Sequence, residues 1–134
     1  MLLAEQISRR AHAGQTCKSK GDYILHPERV AFLVSEKAKN VAWLHDVIED
    51  TTMTWLDLVK EGIDPKDADA VVILTRKPDE VYAEYIRRVA KSNNQIAIEV
   101  KLADLRDNLR PGCPESLRER YLSAIRTLLK VATI

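Results

Sequence analysis

The sequence predicts an all-α, single-domain helical bundle. Three observations carry this. Apolar residues recur at spacings of three and four almost throughout. Glycines, prolines and asparagines fall at intervals that suit short helices. No stretch alternates apolar and polar residues as a half-buried strand would. A chain of 134 residues with 46% hydrophobic residues is expected to form one domain over positions 1–134. At this size roughly 70% of the unfolded surface can be buried. Neither a disulfide nor a metal is needed to hold such a fold, so a metal site would need a reason of its own.

The elements follow in order. Leu2, Leu3, Ile7 and Ala11 make a first apolar stripe. Gly14 and Ser19-Lys20-Gly21-Asp22 read as loop. Pro27 stands where a helix can begin, with Val30, Ala31 and Val34 on one face. Asn40 is suited to cap a helix from Val41 to Glu49, which Asp50-Thr51-Thr52 ends. Thr54 can cap the next helix, with Asp57 at the reciprocal position. Gly62 and Pro65 precede a helix over Lys66–Leu74; its apolar end, Val71 to Leu74, has no partner strand and is read as buried helix. Pro78 is expected to open a helix carrying Val81, Tyr85 and Val89, and Asn93 or Asn94 to open another through Leu105. Pro111-Gly112-Cys113-Pro114 stops it before a last helix with Leu117, Tyr121, Leu122, Ile125 and Leu128. Trp43, Trp55 and Phe32 are all candidates for the core.

Charge and composition exclude several classes. Lys plus Arg number 21 and Asp plus Glu 20, so the net charge of +1 does not advertise nucleic acid or membrane. The basic residues do not cluster on one helix, and no aromatic stacking platform is visible. The first residues meet an acid and two arginines too early for a signal peptide, and no run approaches ~20 apolar residues. Cys17 and Cys113 stand alone, in no CxxC pattern. The expectation is a cytoplasmic protein with free thiols and a small-molecule partner. Nothing marks an oligomeric interface.

The chemistry concentrates at a few positions. His45 follows the apolar run Val41-Ala42-Trp43-Leu44 and is followed by Asp46, Glu49 and Asp50. On one helix His45 and Glu49 would share a face, and Asp46 and Asp50 an adjoining one. Three carboxylates and an imidazole beside an apolar run are costly to bury without counter-charge. They form either an exposed helix end or a cation site. Asp104 sits in a largely apolar helix with Lys101 and Asn108 on its side. That arrangement is either a plain intrahelical Lys–Asp pair or part of the same site.

His26-Pro27, Leu44-His45-Asp46-Val47-Ile48-Glu49-Asp50-Thr51 and Lys101-Leu102-Ala103-Asp104-Leu105-Arg106-Asp107-Asn108 together resemble the H…HD…D signature of the HD superfamily. More narrowly, the chain resembles the hydrolase domain of RelA/SpoT-type alarmone enzymes and the single-domain small alarmone hydrolases. Ala11-His12-Ala13-Gly14-Gln15 and Tyr23-Ile24-Leu25-His26-Pro27 match that family's opening motif, and Leu74-Thr75 its mid-chain motif. The match runs from about residue 4 to residue 130. The resemblance implies an HD-type bundle and a guanosine-3′,5′-bis(diphosphate) 3′-pyrophosphohydrolase. It implies His26, His45, Asp46 and Asp104 as ligands of one divalent ion. That ion is usually manganese in the family, with iron and zinc as alternatives. Glu49 and Asp50 would hold and deprotonate the attacking water. Lys18, Ser19 and Asn108 fall on nucleotide-contact positions, and His12 takes a structural role.

Three departures from the long enzymes qualify the expectation. Cys17 stands where an arginine typically packs on guanine, and a thiol cannot supply that planar cation. The stretch between His26 and His45 is shorter. The sequence stops where a synthetase domain would follow, so hydrolysis without synthesis is expected. Two other readings remain at this stage: hydrolysis of another nucleotide, such as an adenine alarmone or a 3′-phosphorylated dinucleotide, and a metal-bearing sensor without catalysis.

Overall fold

The computed structural model describes residues 1–16 and 22–133. Its helices are α1 (Leu3–Ala11), α2 (Leu25–Leu33), α3 (Lys39–Leu44), α4 (Val47–Asp50), α5 (Trp55–Lys60), α6 (Pro65–Leu74), α7 (Tyr82–Lys91), α8 (Gln95–Asn108) and α9 (Glu115–Leu129). A 3-10 turn over Glu36–Ala38 leads into α3. Among the described residues there is no strand, only an isolated antiparallel bridge between Thr16 and Asp22. The all-α expectation holds, and Val71 to Leu74 is the end of a helix.

Short α3 lies at the centre, against α1, α2, α6 and α8. Val41, Ala42, Trp43 and Leu44 are all buried, which explains the unbroken apolar run. α8 packs against α2, α3, α6, α7 and α9, and its Ile98, Val100 and Leu105 are fully buried. Burying side chains of this size contributes roughly 1.5–3 kcal/mol each. The crossing of α2, α3 and α8 therefore lies in the buried core.

Local signals set several boundaries. Thr54 and Asp57 form the reciprocal capping box at α5. Asn94 caps α8 by accepting from the Ala97 N–H. Asp64 caps α6, with Pro65 at its first position. α5 ends in a Schellman motif: the Gly62 N–H donates to the Val59 carbonyl and the Ile63 N–H to the Leu58 carbonyl, with Gly62 at φ +105°.

Other boundaries differ from expectation. α2 begins at Leu25, so Pro27 is its third residue. First-turn N–H groups have no intrahelical partner, so proline loses no bond there. Asn40 does not cap a helix; it lies inside α3 and donates to Asp67 on α6. The expected helix from Val41 to Glu49 is broken at His45-Asp46. Pro78 lies in a turn, and α7 starts only at Tyr82. Arg88 decides that: it donates to the Ile73 and Thr75 carbonyls and pairs with Glu80, tying the 73–80 segment down as a connection. Of the three large aromatics, only Trp43 is core; Trp55 is 38% exposed and Phe32 86%. Phe32 lies on the solvent side of α2, opposite the buried Val30 and Ala31.

Candidate functional site

The break at His45-Asp46 positions the site. Consecutive residues of a helix point roughly 100° apart, so one continuous helix would aim these two side chains apart. Here His45 follows the last residue of α3 and Asp46, at φ −105° and ψ 0°, precedes the first of α4. His45 Nε2 and Asp46 Oδ2 come within 3.1 Å of each other. His26 arrives from α2, with its Nε2 3.3 Å from His45 Nε2. Asp104 arrives from α8, its Oδ1 2.9 Å from His26 Nε2 and 3.5 Å from His45 Nε2. Potential metal-binding atoms of His26, His45 and Asp46 all lie within 4.8 Å of one another. The four residues proposed from sequence thus converge on one point from three parts of the chain.

The donor set suits a cation. His45 Nδ1 is committed to the Ala42 carbonyl at 2.7 Å, and His26 Nδ1 to Asp107 Oδ2 at 2.7 Å. With Nδ1 carrying the proton in each ring, both Nε2 atoms present lone pairs to one another and to two carboxylates. Such a group repels itself unless a cation sits among it. Two imidazoles and two carboxylates without thiolate suit a divalent ion of borderline hardness.

The same carboxylates that would draw a cation also favour protons on the two rings. Burial disfavours charge on His26, but hydrogen bonds to Asp104 and Asp107 outweigh it and push that imidazole up to about 9. His45 is raised likewise, burial being overcome by Asp46 and Asp104. Asp104 is held low against burial by Lys101 and both histidines. Lys101 Nζ lies 2.8 Å from Asp104 Oδ2, so the intrahelical pair considered from sequence exists alongside the histidine contacts. Asn108 Nδ2 reaches Asp104 Oδ1 at 3.5 Å, the outer limit of a hydrogen bond.

Glu49 and Asp50 project from α4 into a cavity of about 860 Å³ that contains the cluster. Glu49 Oε1 accepts the Arg76 backbone N–H at 2.7 Å. Desolvation against the cavity wall and the charge of Asp46 raise both carboxyls above their ordinary values. Asn108 lines the same cavity. Lys18, Ser19 and Cys17 lie outside the described residues. His12 is buried at the end of α1, with Nδ1 3.0 Å from Gln15 Oε1.

Several groups at the site were not singled out from sequence. The Tyr23 hydroxyl donates to Asp46 Oδ2. Asp107 and Arg29 stand behind His26. Tyr82, Tyr85 and Tyr121 line the cavity wall, and the Arg120 and Arg76 guanidinium carbons lie 4.4 and 5.3 Å from the Tyr82 ring centroid. Asp107 could have been found, since it sits three residues beyond Asp104 on one helix. The arginine–tyrosine cluster joins three separated segments and leaves no local pattern.

A helical bundle that gathers two histidines and two aspartates at the crossing of its central helices is the metal-centred architecture of an HD-type domain. No protein-family model matches the chain. It is 34% identical, over 121 aligned positions, to the bifunctional (p)ppGpp synthase/hydrolase SpoT of Escherichia coli (strain K12); this covers 78% of the chain and 17% of that protein. Against the guanosine-3′,5′-bis(diphosphate) 3′-pyrophosphohydrolase of Vibrio cholerae it is 34% identical, again over 78% of the chain and 17% of the relative. A GTP pyrophosphokinase of Streptomyces coelicolor is 32% identical over 80% of the chain and 14% of its own length. The chain therefore spans less than a fifth of these curated relatives. Among solved structures, a metazoan ortholog of SpoT described as hydrolysing ppGpp matches with a TM-score of 0.76 and 25% identity, over 96% of the chain and 82% of that structure. The chain is thus similar in sequence to RelA/SpoT-type alarmone proteins and in fold to the metazoan SpoT ortholog. No helix among the described residues is long and apolar enough to cross a membrane.

Proposed function

We propose that residues 1–134 form one hydrolase domain that removes the 3′-pyrophosphate of guanosine tetra- or pentaphosphate. The observation that carries this is the convergence of His26, His45, Asp46 and Asp104 in the same cavity as Glu49 and Asp50. The four would hold one divalent ion, with manganese the ion proposed. When bound, such an ion supplies Lewis acidity toward a phosphoryl oxygen and lowers the pKa of an attacking water.

The protein residues supply the rest. Glu49 is anchored by the Arg76 N–H, so its free oxygen can orient a water while Asp50, one residue on, accepts its proton. Carboxyls raised toward neutral pH are better matched to that transfer. Water attacks the phosphorus next to the ribose 3′ oxygen and the bond between them breaks. Pyrophosphate leaves, and the 3′ oxygen takes up a proton. Arg76, Lys101, Arg110 and Arg120 line the cavity and offset the substrate's negative charge. Lys18, Ser19 and Asn108 are the proposed nucleotide contacts.

Cys17 favours weighing a second reading, in which the same centre hydrolyses an adenine alarmone or a 3′-phosphorylated dinucleotide. Purified chain with manganese should be assayed for pyrophosphate release across guanine and adenine alarmones. Release from the guanine substrates supports the proposal. Equal or faster turnover of adenine substrates moves the assignment to the broader class. Metal binding without turnover of any nucleotide leaves a metal-bearing binding module.

A further inference from the structure

His26 is gripped at both ring nitrogens by one turn of α8. Asp104 Oδ1 lies 2.9 Å from its Nε2, and Asp107 Oδ2 lies 2.7 Å from its Nδ1. The two aspartates are three residues apart and share a helical face. Arg29 stands three residues after His26 on α2 and meets the same carboxylate: its Nε is 2.7 Å from Asp107 Oδ1 and its Nη2 3.1 Å from Oδ2. This is a two-pronged guanidinium–carboxylate pair, the strong and orientation-specific kind. Asp107 is nearly buried, while Arg29 reaches the surface. His45 differs, because its Nδ1 meets only the neutral Ala42 carbonyl.

We infer that Asp107, clamped by Arg29, is the positioning residue that sets the tautomer, orientation and basicity of His26 toward the metal centre. The inference rests on the metal reading given above. Asp107 accepts the Nδ1 proton, which leaves the Nε2 lone pair directed at Asp46, Asp104 and His45. Its charge strengthens His26 as a donor, as an acceptor behind a ligating imidazole generally does. Arg29 fixes the carboxylate and balances its charge, so that Asp107 neither swings away nor competes for the cation. Of the two imidazoles, His26 is the one whose donor strength depends on a side chain.

The test is divalent metal affinity, measured by titration calorimetry of the metal-stripped chain with manganese. Asp107→Asn keeps the shape and a neutral acceptor but removes the charge. It should weaken manganese binding ~10–100-fold in variant protein shown by its far-UV spectrum and melt to be folded before metal is added. Arg29→Met should weaken binding by a smaller factor. In the zinc-loaded wild type, ¹⁵N imidazole spectra should show His26 protonated at Nδ1. Wild-type affinity in Asp107→Asn overturns the inference and leaves the metal reading intact, whereas His26 protonated at Nε2 overturns the inference and also removes that nitrogen from the proposed ligands. Should Asp107→Asn fail to fold, Arg29→Met decides by the same titration, and unchanged affinity there overturns it. A wild-type chain that binds no divalent ion removes the metal reading itself, and this inference with it.

Discussion

Asp104 faces an imidazole with one oxygen and an ammonium with the other. Its Oδ1 faces His26 Nε2 at 2.9 Å and its Oδ2 faces Lys101 Nζ at 2.8 Å. The carboxylate joins the centre to a buried ammonium that also lies 5.0 Å from the Tyr85 ring centroid. Asp104 therefore ties the proposed metal centre to the core, and its removal should be felt in both.

Asp104→Ala should lose metal and turnover together, because it removes a donor that no neighbour on α2 or α3 replaces. It should also destabilise the fold, since deleting one partner of a buried pair strands the other at a cost of about 3–5 kcal/mol. The double variant Lys101→Met with Asp104→Ala should recover much of that stability while remaining metal-poor. Elemental analysis and thermal melts separate the two effects. Full metal occupancy in Asp104→Ala would take Asp104 out of the centre.

Glu49→Gln and Asp50→Asn should retain metal and bind nucleotide yet turn over slowly, by ~10²–10⁴-fold if either is the base. Each keeps its shape and loses its basicity. Should either variant instead lose metal, that residue is a ligand and the division of labour must be redrawn.

Gly62→Ala should destabilise the domain without altering turnover per folded molecule. Gly62 lies at φ +105°, where an L side chain is strained, and an added Cβ would sit 3.2 Å from Leu3 Cδ2. A left-handed backbone alone costs an L residue about 1–2 kcal/mol. Urea denaturation measures the loss. A wild-type midpoint would mean that the Schellman turn after α5 reforms around alanine.

The Glu80–Arg88 pair should make stability sensitive to acid. Glu80 is held down to about 2, chiefly by its hydrogen bond with Arg88. A carboxyl lower in the folded than in the unfolded chain contributes stability above its unfolded value, near 4.5, which is lost as pH falls toward 2. Between pH 5 and pH 2.5 the wild type should therefore lose more stability than Glu80→Gln. Parallel losses would show that the Glu80–Arg88 pair does not set the acid response.

Local sequence decided what depends on neighbours in the chain. The helical period, the Thr54–Asp57 box, the Asn94 cap and the stop before α9 are short-range effects, and each was legible. Of the four residues that converge in the cavity, His45 and Asp46 drew notice through their place beside an apolar run; Asp104 stayed open between an ion pair and a site, and His26 and the full set came from the family resemblance. Position within a helix was harder to read. The spacing of His45 and Glu49 suggested one helix, but the chain breaks there, which aims His45 and Asp46 at one point.

By itself, then, the sequence determined an all-α chain and the chemical identity of its reactive groups. Tertiary structure alone decided which groups support them. Arg29 and Asp107 are separated by 78 positions, and Tyr23 and Asp46 by 23, yet each pair is in hydrogen-bond contact. Asn40 reads as a cap and is a strut to Asp67; Pro78 reads as a helix start and sits in a turn held by Arg88. Phe32 reads as core and faces solvent. The reason is common to all of them. Propensity and spacing act over one or two turns of helix, whereas a side chain's partner and burial depend on which distant helix packs across from it.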